Sequence, residues 1–198
     1  MTTILLARHG ETDWNAAQRW QGHADRPLTV LGRAQAEALA RQLDAYPLAA
    51  IYASDLLRAR NTADVVGRRH GIDVILRQDL REVDCGSWSG RYHADIAPEE
   101  LERWRAGEKG WEGGESYEEM ATRLVRAVID VAAVHNGDHV LIVSHGAAIR
   151  GVHAHALGLP FHEYRRLHPT VANAGLSAVR VEEGRVRDLP LDGDGGRH

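Results

Sequence analysis

The sequence has few of the features that mark secreted or membrane proteins. It contains a single cysteine, Cys85, so no disulfide can form within the chain. No stretch approaches the ~18–20 apolar residues needed to cross a bilayer. The first residues lack the basic start and apolar core of a secretory signal. These absences predict a cytoplasmic protein without a membrane partner.

A surplus of positive charge is also missing. Lysine and arginine total 24 against 28 aspartates and glutamates, which gives a formal net charge of −4. This balance argues against a nucleic-acid partner. An anionic ligand would therefore need a local cluster of positive side chains. The 198 residues are 43% hydrophobic with mixed charges, which predicts one globular domain over 1–198.

Hydrophobic patterning predicts an alternation of strands and helices. Short apolar runs indicate strands, and apolar residues at helical spacing lie between them. The alternation predicts an α/β fold, a three-layer α/β/α sandwich around a mostly parallel sheet. A closing hairpin is predicted at 176–181 and 185–189. The other predicted strands are 3–7, 49–53, 73–76 and 139–143, and the predicted helices are 29–46, 56–69, 116–135 and 147–157.

Two segments depart from this alternation. Residues 85–115 are rich in glycine, glutamate and arginine and contain Trp88, Trp104 and Trp111. They predict a small lid insertion, with the tryptophans packed inside it. The glycine-rich tail 192–198 is predicted to be loose.

Two histidines share one local setting. His9 and His145 each follow an apolar strand and precede a glycine. Because the carboxyl ends of parallel strands meet at one edge of a sheet, both imidazoles should converge there. The loops after the second and third predicted strands reach the same edge, and they carry Arg58, Arg81, Glu82 and Asp84.

This set of side chains suits phosphoryl transfer. A transferring phosphoryl group spreads charge over three oxygens, which arginines bind in a bidentate manner. A neutral imidazole can attack phosphorus and form a phosphohistidine. A carboxylic acid can then protonate the leaving alkoxide.

Several ordered motifs resemble those of the histidine phosphatase superfamily, whose members include cofactor-dependent phosphoglycerate mutases. The resemblance covers nearly the whole chain. It rests on Arg8-His9-Gly10-Glu11-Thr12 with Asn15, Gln21-Gly22, Pro27-Leu28-Thr29, Ser54-Asp55-Leu56 with Arg58-Ala59 and Thr62-Ala63, Leu80-Arg81-Glu82, and Val143-Ser144-His145-Gly146.

The resemblance implies a role for each matching residue. His9 is the nucleophile, and Glu82 is the proton donor that later activates water. Neither a metal nor a cofactor is implied. Arg8, Arg58 and His145 hold the phosphoryl group, Asn15 assists at the phosphate, and Glu11, Gln21, Gly22 and Asn173 line or support the site.

Some residues have competing interpretations. Asp84 and Glu11 compete with Glu82 as the acid, and Arg58 could be a solvated helix residue. Arg165-Arg166 is typical of a solvated face but could meet a second phosphate or a carboxylate. Cys85 is interpreted as a small buried side chain. His153 and His155 are predicted to lie on different sides of a helix, which favours structural roles over a shared binding site.

The segment between Glu82 and His145 favours a phosphatase of the superfamily over a mutase. It is shorter than the insertion typical of the family's mutases and is rich in glutamate, and the Gly-Ala-Ala-Ile-Arg that follows His145 resembles the phosphatase branch. The expected activity is metal-independent hydrolysis of a small phosphorylated metabolite. A phosphoglycerate mutase and a non-catalytic binder of phosphorylated ligands are the alternatives, and a homodimer is a possible assembly.

Overall fold

The computed structural model describes residues 1–191, so the predicted loose tail lies outside the described residues. Within them the chain forms six strands and seven α-helices. The strands are β1 (Thr2–Arg8), β2 (Leu48–Ser54), β3 (Val74–Arg77), β4 (His139–Ser144), β5 (Leu176–Glu182) and β6 (Arg185–Leu189). The helices are α1 (Asp13–Ala16), α2 (Val30–Gln42), α3 (Leu57–His70), α4 (Pro98–Arg105), α5 (Tyr117–Ala133), α6 (Gly146–Ala156) and α7 (Phe161–Leu167).

The strands form one sheet in the order β3-β2-β4-β1-β5-β6. Strands β1 to β4 are parallel, while β5 and β6 run antiparallel as the predicted hairpin. The mostly parallel sheet and the α/β class are thus confirmed. β1 and β4 are neighbours at the centre, so the two predicted histidines leave adjacent strands.

Alternation along β1 supplies both hydrophobic cores. Ile4 and Leu6 pack against the α5 and α6 side, and Leu5 and Ala7 pack against the α2 and α3 side. Successive side chains of a strand point to opposite faces, so the apolar run at the centre of β1 requires helices on both faces of the sheet. This arrangement confirms the three-layer sandwich.

Local capping explains where two of the predicted helices begin. Thr29 accepts a hydrogen bond from the Gly32 amide at 2.9 Å and caps α2. Ser116 and Glu119 form a capping box at the start of α5, where the sequence predicts the helix to begin. Several other boundaries differ by one to a few residues: β3 runs over 74–77, α2 ends at Gln42 and α5 ends at Ala133.

The insertion at 85–115 contains α4 and packs around aromatic rings. Trp88 and Trp111 are buried, with ring centroids 5.3 Å apart, and Trp20 lies 4.8 Å from Trp88. Trp104 packs beside them, which confirms that the tryptophans of the insertion serve packing. Among residues 1–191, no helix is long and apolar enough to cross a membrane.

His153 connects α6 to the closing hairpin. Its ring is buried, with Nδ1 2.5 Å from Asp188 Oδ1 and Nε2 2.9 Å from Ser177 Oγ. His155 is exposed on another side of the helix, as its spacing predicts. The two rings therefore share a helix but differ in burial and bonding.

We expect His153→Ala to lower the free energy of unfolding by about 1–3 kcal/mol, since it removes two hydrogen bonds of a buried ring. Urea denaturation measures the change. The matched variant His155→Ala should stay within about 0.5 kcal/mol of wild type. Equal losses in the two variants would contradict a structural role for His153.

Candidate active site

The ends of β1 and β4 bring His9 and His145 together. Arg8 is in register with Ser144, and the His9 amide donates to the Ser144 carbonyl at 3.0 Å. The two imidazole centroids are 5.2 Å apart. His9 is 3% exposed and His145 is fully buried. The convergence predicted from the two strand-end motifs is present.

Arg58 is fixed beside His9 from the first turn of α3. Its Nε donates to His9 Nε2 at 3.2 Å, and its Nη1 and Nη2 donate to the carbonyls of Ala24 and Gly22, each at 2.8 Å. The side chain is 1% exposed, so its interpretation as a solvated helix residue is wrong. Burial lowers the pKa of Arg58 to about 10, which leaves the guanidinium charged at neutral pH.

Hydrogen bonding assigns the tautomer of His9. Nδ1 lies 2.7 Å from the Gly10 carbonyl, and a carbonyl only accepts, so Nδ1 carries the hydrogen. Burial holds the pKa of His9 well below its ordinary value, and the charges of Arg58 and Arg8 lower it further. The imidazole is therefore neutral, with a lone pair on Nε2. That atom has the character of a nucleophile.

His145 contributes two buried ring nitrogens to the site. Both of its ring nitrogens are buried, and neither has a hydrogen-bond partner within residues 1–191. Burial is also the main cause of its lowered pKa, with Arg58, His9 and Arg8 contributing. A neutral imidazole has one N–H group, which can donate to an oxygen of a phosphoryl group.

Arg8 adds a second positive charge to the site. Its Nη1 donates to the Val171 carbonyl at 2.8 Å, while its Nε is buried without a partner in the described chain. A side chain at Gly146 would bring a Cβ to 3.4 Å from Arg8 Nε and 2.8 Å from the Thr170 methyl group. The glycine after His145 therefore leaves room for the guanidinium.

Glu82 faces the start of α6, just after His145. Its carboxylate accepts from the amides of Ala147 and Ala148, each at 3.2 Å, and from the Val83 amide at 2.9 Å. Burial lowers the pKa of both Arg8 and Arg58, and the negative charge of Glu82 opposes that shift, so all three groups share one electrostatic environment. The predicted acid thus lies close to the predicted phosphate-binding arginines.

The two competing carboxylates are engaged in local structure. Asp84 accepts from the Gly86 amide at 3.1 Å within a turn. Glu11 accepts from the Thr29 hydroxyl at 2.9 Å, at the start of α2. Their positions favour Glu82 as the acid, and the Glu11 carboxylate has a supporting place at the cap of α2.

Three of the predicted site residues, Asn15, Gln21 and Asn173, surround the loop that follows His9. Asn173 donates to the His9 carbonyl at 3.1 Å and to Asn15 Oδ1 at 3.3 Å. Gln21 accepts from the Thr12 hydroxyl at 3.0 Å and is 9% exposed. Asn15 also forms a capping box with Thr12 at the start of α1. Its side chain therefore stabilises the loop after His9 and lies next to the site.

Position 22 requires glycine because of its backbone conformation and because another side chain lies close to it. It has φ = +51°, and a Cβ there would lie 2.6 Å from the Cys85 sulfur. Its carbonyl is one of the two that accept hydrogen bonds from Arg58. Burial raises the pKa of Cys85 to about 12, which makes this thiol the inert buried side chain that was predicted.

Sequence reasoning gave no role to some supporting side chains. The Thr62 hydroxyl accepts from the Gly10 amide at 3.0 Å and donates to the Arg58 carbonyl at 2.8 Å. It therefore connects the loop after His9 to the first turn of α3. Its spacing four residues after Arg58 was the available signal. Arg123 donates to the carbonyls of Arg81 and Glu82, and no local pattern marked it because it lies 41 residues from Glu82 in sequence.

Positive charge at the site comes from arginine. Across residues 1–191, no three histidine, cysteine, aspartate or glutamate side chains form a group that could hold a metal ion. Two neutral imidazoles, two guanidinium groups and one carboxylate together match the requirements of phosphoryl transfer.

Comparisons with known proteins agree with this chemistry. The chain is 38% identical to the probable phosphoglycerate mutase GpmB of Enterobacter sp. (strain 638), over 92% of this chain and 86% of that protein. A mycobacterial glucosyl-3-phosphoglycerate phosphatase superposes with a TM-score of 0.86 at 33% identity, covering 94% and 96% of the two chains. A phosphoserine phosphatase mutant from Entamoeba histolytica, in complex with phosphoserine, gives a TM-score of 0.84 at 25% identity, with 98% of each chain covered.

The model of the histidine phosphatase superfamily (branch 1) matches residues 4–189. That range includes every residue of the site described above. The chain therefore belongs to the histidine phosphatase superfamily, as its motifs predicted, and is an enzyme of the histidine phosphatase type.

Proposed function

We propose that this enzyme hydrolyses small phosphomonoesters through a phosphohistidine at His9, without a metal ion. The observation that carries the proposal is the pairing of a neutral His9, whose Nε2 keeps its lone pair, with the Arg58 guanidinium 3.2 Å away. A nucleophile and a phosphate-binding charge at this distance suit attack on a bound phosphoryl group.

In the first step, His9 Nε2 forms a bond to phosphorus and the bond from phosphorus to the ester oxygen breaks. Arg8, Arg58 and the N–H group of His145 stabilise the charge on the phosphoryl oxygens. Glu82, in its acid form, gives its proton to the departing oxygen, which leaves as an alcohol.

In the second step, a water molecule attacks the phosphorus of phospho-His9. Glu82, now a carboxylate, takes a proton from that water as the new bond from oxygen to phosphorus forms. The bond from phosphorus to Nε2 breaks, and inorganic phosphate leaves with His9 neutral again. The two steps together convert ester and water into alcohol and phosphate.

A mutase is the second candidate, because the curated relative named above is called a probable phosphoglycerate mutase. A mutase would return the phosphoryl group to a second hydroxyl instead of water. The acidic insertion argues against it, since it holds several glutamates around a single lysine, Lys109. The two phosphatases named above as structural neighbours support hydrolysis.

The two functions are separated by one assay with EDTA and 3-phosphoglycerate, with and without 2,3-bisphosphoglycerate. We expect release of inorganic phosphate without formation of 2-phosphoglycerate. p-Nitrophenyl phosphate serves as a generic substrate. Formation of 2-phosphoglycerate that depends on the bisphosphate would assign a mutase, and loss of all turnover in EDTA would contradict metal independence.

A further inference from the structure

The segment that carries Glu82 is held by side chains and not by a helix or a strand. Residues 81–85 lie outside every regular element. The Glu82 carbonyl accepts from His23 Nε2, which lies 2.8 Å away, and from Arg123 Nη2 at 3.3 Å. Irregular backbone is fixed only by such contacts, since no ladder of backbone hydrogen bonds supports it. The position of Glu82 therefore depends on these two side chains.

His23 comes from the same short stretch of loop that holds Arg58. The carbonyls of Gly22 and Ala24 accept from Arg58 Nη2 and Nη1, each at 2.8 Å, and His23 lies between these two residues in sequence. Its ring reaches from this loop to Glu82, 59 positions further along the chain. Three consecutive residues thus contact both the guanidinium that faces His9 and the segment that carries the acid.

The ring of His23 has a defined orientation. Because a carbonyl can only accept, the hydrogen bond to Glu82 places a hydrogen on Nε2. The same nitrogen lies 3.9 Å from Glu115 Oε1, an oxygen that also accepts from the Asp84 amide at 3.2 Å. Glu115 Oε2 is 3.3 Å from Arg123 Nε. The side chains around the Glu82 carbonyl therefore contact one another and form a single network.

We propose that His23 is a positioning residue, which holds Glu82 at the distance from Arg58 that proton transfer to the leaving oxygen requires. The inference rests on the proposed phosphatase function. In that function Arg58 binds the phosphoryl group, and the departing oxygen must lie within hydrogen-bond reach of Glu82. A misplacement of about 1 Å can cost about 10²-fold in rate. His23 acts through the backbone of Glu82 and takes no part in making or breaking bonds.

The test uses two aryl esters of similar size whose leaving groups differ in their need for a proton. Phenol, like tyrosine, ionises at about pH 10, whereas nitrophenolate departs without a proton. We expect His23→Ala to lower kcat/KM for phenyl phosphate by about tenfold or more, and for p-nitrophenyl phosphate by less than about threefold. His23→Gln has an amide that can donate to the same carbonyl, so it should recover most of the loss.

A double variant tests whether His23 acts through Glu82. In the Glu82→Gln protein no acid remains to be positioned. Adding His23→Ala to that protein should therefore lower kcat/KM for phenyl phosphate by less than about twofold, although the same change costs about tenfold or more in wild type. Residues that act in one network are expected to be non-additive in this way.

Another histidine with the same kind of contacts offers a matched control. His70 Nε2 lies 3.2 Å from the Ala40 carbonyl and 3.7 Å from Asp44 Oδ1. His70 is the last residue of α3, whereas Arg58 lies in the first turn of that helix. His70→Ala should therefore keep wild-type activity on both esters. Thermal unfolding of each variant verifies that the fold is intact.

Each outcome addresses a different claim. An inability of wild type to hydrolyse either ester would contradict the proposed function and this inference with it. Equal losses on the two esters in His23→Ala, or wild-type activity on both, would contradict a positioning role while leaving hydrolysis intact. A further tenfold loss when His23→Ala is added to Glu82→Gln would show that His23 acts on the reaction by another route.

Discussion

Replacement of His9 by alanine is expected to lower kcat/KM for every phosphomonoester by at least about 10⁴-fold. The variant loses the atom that forms the bond to phosphorus, and the remaining arginines cannot supply a nucleophile. Because His9 is buried and neutral, its removal does not strand a charge in the core. Steady-state assays in EDTA with p-nitrophenyl phosphate measure the loss.

A histidine far from the site provides the control. His155→Ala changes an exposed ring on α6 and should retain wild-type activity. Circular dichroism and thermal unfolding of His9→Ala verify that the fold is preserved. Turnover by His9→Ala within tenfold of wild type would contradict the covalent mechanism.

Glu82→Gln is expected to have an effect that depends on the leaving group. For alkyl phosphates, kcat/KM should fall by about 10²- to 10⁴-fold, because the alkoxide must be protonated as it departs. For p-nitrophenyl phosphate, the fall should be less than about tenfold, because nitrophenolate departs without a proton. The parameter kcat/KM is the appropriate one because it reports only steps up to the departure of the leaving group.

Asp84→Asn is the matched control, since Asp84 lies two residues away and was a competing candidate for the acid. Its carboxylate caps a turn at Gly86, so we expect the variant to keep the wild-type dependence on the leaving group. Equal losses on both substrates in Glu82→Gln would show that Glu82 positions the substrate without transferring a proton. A selective loss in Asp84→Asn would move the acid to that residue.

The central half of the fold could be predicted because its signals are local. The runs at β1 and β4 are short and wholly apolar, and each ends at a histidine followed by glycine. The helices α2 and α5 carry caps that mark their first residues. These signals were sufficient to place His9 and His145 at one sheet edge, and the motifs brought Arg8, Arg58 and Glu82 to it.

The segments α4 and α7 are positioned by contacts between residues that are far apart in sequence. Local sequence patterns do not reveal such contacts. α4 and α7 contain eight and seven residues, which is too short for a clear helical period. Arg165 meets Trp104 across 61 positions of sequence. The solvated face predicted for Arg165-Arg166 is therefore right for Arg166 and wrong for Arg165, which stacks on an indole ring.

The most direct test of the account is to trap the phosphorylated enzyme. Wild-type protein mixed with a ³²P-labelled phosphomonoester in EDTA and quenched within milliseconds should carry label that is labile in acid and stable in base, as expected for a phosphohistidine. Peptide mapping should place the label on His9, with no label in His9→Ala and prolonged label in Glu82→Gln. Turnover without any labelled enzyme, or label on another residue, would contradict the mechanism.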